Sequence, residues 1–99
     1  MNGQTENLNI YDKRALKAIE RFEKDFKYGI GKTTSKEVCI ECLNKLRLSY
    51  LTYLILDDKT VAQKGLSAFE EAYGLARNRA ISLGGDVSKY PETLEGMVK

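Results

Sequence analysis

Histidine is absent from this chain of 99 residues, and so is tryptophan. Without an imidazole there is no Ser-His-Asp or Cys-His nucleophile, no zincin site and no Glu-x-x-His metal cluster. Any proton or nucleophile chemistry would fall to carboxylates, lysine, tyrosine or cysteine, so the chain is expected not to be an enzyme. Proline occurs once, which removes the main obstacle to long helices. The net charge of +2 carries no argument for nucleic acid by itself. No apolar run follows a basic start at the amino terminus, so no signal peptide is expected. The longest apolar stretch is interrupted by Glu41, Asn44, Lys45 and Arg47, so no membrane partner is expected either. A cytoplasmic location follows as the expectation, with the two cysteines kept as thiols.

Hydrophobic residues make up 42% of the chain and charged residues 30%, a balance that fits a folded helical domain and excludes a disordered one. The apolar spacing supports an all-α fold, a small antiparallel bundle of three main helices with a short carboxy-terminal one. Residues 1–8 read as a flexible polar arm and 9–99 as a single helical domain. The first helix is expected from about Ile10 or Asp12 to Tyr28, with Tyr11, Ala15, Ala18, Ile19, Phe22 and Phe26 as its apolar stripe. Gly29 and Gly31 are expected to stop it, and Thr34 or Ser35 to cap the next.

That next helix, residues 35–57, is apolar almost all round, which predicts a central rod with the others laid against it. Asp57-Asp58-Lys59-Thr60 marks a tight hairpin. The third helix, about 59–83, carries Val61, Ala62, Gly65, Leu66, Phe69, Ala72, Tyr73, Ala76, Ala80 and Leu83 on one side, and Gly84-Gly85 ends it. Pro91 opens a short last helix that Leu94 and Met97 would dock.

Several patterns are candidates for chemistry. Gly31-Lys32-Thr33-Thr34 resembles the end of a phosphate-binding loop, but the required earlier glycine is replaced by Phe26, and no strand precedes it. Cys39-Ile40-Glu41-Cys42 has redox or half-zinc spacing. Neither a second ligand pair nor a strand supports it, so the thiols read as small hydrophobes. The acids at Asp57-Asp58, Glu70-Glu71 and Glu37/Glu41 read as caps and surface ion pairs. No cofactor or metal is implied.

Two surfaces remain. Lys13, Arg14, Lys17, Arg21 and Lys24 share an arc of roughly 100° on the first helix, the footprint of a phosphate-contacting face, although an exposed helix face is also commonly just solvated. Leu48, Ile55 and Ile81, with Tyr50 and Tyr53, are the candidates for apolar surface left over once the bundle closes. The leading functional expectation is therefore a small non-enzymatic accessory protein. It would dock a helical face onto another protein or onto a second copy of itself as a homodimer. Nucleic-acid binding through the basic stripe is the alternative.

Overall fold

A computed structural model describes residues 10–98; the proposed arm, 1–8, lies outside them. The chain forms α1 (Ile10–Lys32), α2 (Lys36–Leu54), α3 (Lys59–Ser82) and the short α4 (Leu94–Val98). The all-α bundle of three main helices and a short fourth is the observed architecture.

The hub is α3, not α2. α3 packs against α1, α2 and α4, whereas α1 and α2 scarcely touch each other. The expectation that residues 38–56 form the enclosed rod is thus corrected. Hydropathy singles out α2, but close approach selects the hub. Along α3, Gly65, Ala68, Ala72, Ala76 and Ala80 are buried, and such small side chains let two neighbouring backbones come near. Its buried arc spans about 140°, wide enough for two partners. α2 buries Cys39, Leu43, Leu46, Tyr50 and Tyr53, with Ile40 and Cys42 partly buried against the same core. Val38, Leu48, Leu51 and Leu54, and Ile55 at its C-cap, are left at the surface.

The caps follow short-range chemistry. Ser35 Oγ accepts from the Val38 amide at 3.3 Å and donates to Glu37 Oε1, so Ser35 rather than Thr34 caps α2. Asp58 Oδ1 accepts from the Thr60 and Val61 amides at the start of α3. At its end Gly84 takes φ +83°, and the Gly85 amide returns to the Ala80 carbonyl at 2.8 Å, the glycine-closed helix end that the sequence signals. Tyr73 Oη donates to Pro91 O at 2.6 Å and Arg77 Nε to Tyr90 O, which hold the tail on α3. The Glu70 carboxylate accepts from the Leu94 and Glu95 amides and so caps α4.

The first interhelical connection is the second correction. α1 does not stop at Tyr28 but runs through Gly29 and Gly31 to Lys32. Ile30 is buried, and one more anchored turn outweighs the low helix propensity of two glycines, about 1 kcal/mol each. The turn itself is fastened to α3 by Arg79, whose Nε and Nη2 donate to Thr33 O at 3.1 and 2.8 Å.

Candidate functional site

Because α1 and α2 both lie on α3 without closing on each other, a groove remains between them. Its walls are Ala18, Phe22, Phe26, Gly29 and Ile30 of α1 with Val38 and Cys42 of α2, and its volume is about 580 Å³. From Ala18 to Ile30 it runs about 18 Å along α1, at 1.5 Å rise per residue. Phe22 and Phe26 stack at 5.1 Å along the wall, and Phe22 meets Phe69 of α3 edge-on at 5.2 Å. Tyr53 of α2, itself edge-on to Phe69 at 4.8 Å, donates to Ala15 O at 2.9 Å. That hydrogen bond ties α2 to α1 near the amino-terminal end of the groove wall.

Gly29 lies in the groove wall, and a Cβ there would meet nothing within 4 Å. Neither a positive φ nor a close neighbour within the chain requires this glycine. It nevertheless costs α1 roughly 0.5–1 kcal/mol relative to alanine.

Both thiols are free, Cys39 in the core and Cys42 half-buried at the groove. Burial pushes both above their ordinary value of 9.0; Arg79 partly opposes this at Cys39, and Lys45 does so at Cys42. A thiol held protonated is a poor nucleophile. Burial likewise raises Tyr53 and Tyr73 above 10.0. These groups hold their protons more tightly when folded. Their stabilisation is therefore complete below the unfolded values and lost as pH rises through the folded ones. A denaturant midpoint flat from neutrality to about pH 9 and falling above it is the expected profile. In the same experiment a chromogenic thiol reagent should label Cys42 slowly at pH 8 and Cys39 only on unfolding; rapid labelling of Cys39 would contradict its burial.

The five predicted cations, Lys13, Arg14, Lys17, Arg21 and Lys24, are all exposed along one face of α1. The continuation of the helix adds Tyr28 and Lys32 to that face, with Lys32 Nζ 4.6 Å from the Tyr28 ring centre. The ridge thus extends about 28 Å from Lys13 to Lys32 and carries the exposed Tyr28 ring, which helical spacing already places within the cationic arc. Glu20 and Asp25 flank it. Among the described residues neither acid closes an ion pair with Lys17, Arg21 or Lys24. Arg21 and Asp25 belong to both the ridge and the groove.

Of the predicted docking residues, Ile55 is 80%, Leu48 62% and Ile81 48% exposed, whereas Tyr50 and Tyr53 are core residues at 8% each. Tyr50 and Tyr53 face α3, the side that burial rather than hydropathy selects, and are withdrawn from the surface. Ile81 stands at the opposite end of the molecule from Ile55, because α2 and α3 run antiparallel. Leu48 and Ile55 instead share the outer face of α2 with Leu51. The groove was not anticipated. Its one sequence signal is that small residues, Ala15, Ala18 and Gly29, bracket Phe22 and Phe26 on the side of α1 away from Lys13 and Lys17.

Among the described residues no group of three or more Cys, Asp or Glu side chains is placed to hold a metal ion. None of their helices is long and apolar enough to cross a membrane. Fold and surface together define a small three-helix domain with an open apolar groove beside a cationic ridge. No protein-family model matches the chain, and no curated protein or solved structure is similar to it.

Proposed function

We propose that this is a small non-enzymatic binding protein that docks a helical face onto another protein. The observation that carries the reading is the apolar groove between α1 and α2, open to solvent and walled by Phe22, Phe26, Ile30 and Val38. A groove bounded by two helices is the usual receptacle for a third, which buries its apolar face there. The shape of the molecule supports this. Its radius of gyration is 14.5 Å, against about 13 Å for a compact chain of this length, and its extents are 47 × 29 × 16 Å. The thinnest dimension is no more than about two helix layers, so a partner would complete a core that the chain leaves open.

The test is affinity capture from a native extract with the wild type and with Gly29→Leu. The variant places a side chain in the groove wall at a position where a Cβ meets nothing within 4 Å. A protein retained by the wild type and lost with Gly29→Leu supports the reading; retention of the same species by both overturns it.

A second reading, nucleic-acid binding by the ridge, is favoured by Tyr28, whose exposed ring adds a stacking surface to the row of cations. Six phosphate contacts would weaken binding about a thousandfold between 50 and 200 mM salt. Lys17→Glu with Arg21→Glu would abolish it. Unchanged retention of that double variant on a polynucleotide column would remove this reading.

A further inference from the structure

We infer that the groove takes one kind of occupant, an amphipathic helix of a partner protein whose apolar face is flanked on one side by Asp and Glu. This rests on the docking reading above and specifies the partner. Three features of the surface support it.

The first is the charge around the groove. Its α1 wall carries Arg21 with Asp25, and Arg14 and Lys32 adjoin that wall around the helix, while Lys17 and Lys24 stand farther round on the ridge with Glu20. The α2 wall offers no matching cationic row, because Lys45 is paired to Glu41 at 3.9 Å. A helix lying in the groove therefore meets positive charge along one flank, and acids on that flank satisfy it.

The second is symmetry, which argues against a second copy. Two grooves facing each other are both concave, so neither fills the other. A second apolar surface, Leu48, Leu51 and Ile55 on α2, lies roughly 80–180° around that helix from the Val38 and Cys42 wall. Inserting it into the groove of a second copy gives a head-to-tail contact, which builds a ring or an open polymer rather than a two-fold dimer.

The third is Gly29. It sits in the wall where, among the described residues, a Cβ would meet no atom of another part of the chain within 4 Å, so the space that it leaves is available to an atom from outside. Close helix crossing is the use to which glycine on a helix face is put.

The experiment uses the full chain and two fluorescent sixteen-residue helical peptides. Both carry leucine at helical spacing on one face, one with glutamate along the flank and one with lysine. By fluorescence anisotropy at 100 mM salt the glutamate peptide should bind at least tenfold more tightly. Arg14→Glu with Arg21→Glu should reverse that order, and Gly29→Leu should weaken the glutamate peptide more than tenfold while the denaturant midpoint holds or rises. Equal binding of the two peptides overturns the acidic occupant but leaves the docking reading intact. Binding of neither, while extract capture remains sensitive to Gly29→Leu, does the same. If a single-stranded oligonucleotide displaces the glutamate peptide and its own binding ignores Gly29→Leu, the ridge is the site and the inference fails.

Discussion

Gly65→Ala should lower the stability of this protein by about 3 kcal/mol, the upper end for one carbon forced into a packed core. A Cβ at Gly65 would overlap Cδ2 and Cε2 of Tyr53. The ring has little freedom to move aside. It is 8% exposed, rests edge-on against Phe69, and is tethered through its hydroxyl to the Ala15 carbonyl. Displacing it loosens α2 from α3 and unties α2 from α1 together. Gly74 in the same helix is the control, because a Cβ there meets nothing within 4 Å. Gly74→Ala should therefore stabilise by roughly 0.5–1 kcal/mol through helix propensity alone. Denaturant midpoints of the two variants should move in opposite directions. Equal shifts would mean that the α2–α3 seam is not closed by this contact.

Ile19→Ala should cost about as much, roughly 3 kcal/mol, by a different route. Ile19 is fully buried on α1 and joins the core cluster. α1 packs mainly on α3, so the loss is expected to appear first as detachment of that one helix. Hydrogen exchange would show α1 amides losing protection while those of α2 and α3 keep most of theirs. One wall of the groove is α1 itself, so docking of the glutamate-flanked peptide should fall in step with α1 protection. Uniform loss of protection over all three helices would instead make the bundle a single cooperative unit.

The helices and their caps were legible in the sequence because the chemistry that sets them is local. Ser35 and Asp58 are short polar side chains ahead of apolar runs, and Gly84-Gly85 follows the last apolar residue of α3. Each acts within a few residues of itself. The acids predicted as caps and surface pairs act so at Asp58, Glu70 and Glu41, although that Glu70 reaches across to α4 rather than serving its own helix is a tertiary fact. The stop expected at Gly29 fails for the same kind of reason. Burial of Ile30 is a non-local reward that local glycine propensity does not register.

The site was less legible than the fold. Lys13, Arg14, Lys17, Arg21 and Lys24 could be placed on one face from spacing alone, but the extension to Lys32 depended on where α1 ends. Tyr50 and Tyr53 could not be told apart from Leu48 and Ile55, since all four are apolar positions on a helix that is apolar nearly all round. Which of them face inward is decided by where α3 lies.

By itself the sequence determined the helical class, the element order, the caps and the cationic face, all of which follow from periodicity and short-range hydrogen bonding. Only the tertiary structure decided that α3 is the hub and that α1 and α2 stand apart with an apolar groove between them. The physical reason is that hydropathy measures how much surface a helix would bury. How near two backbones can come depends on the small residues of the neighbour, and that is known only once the helices are packed.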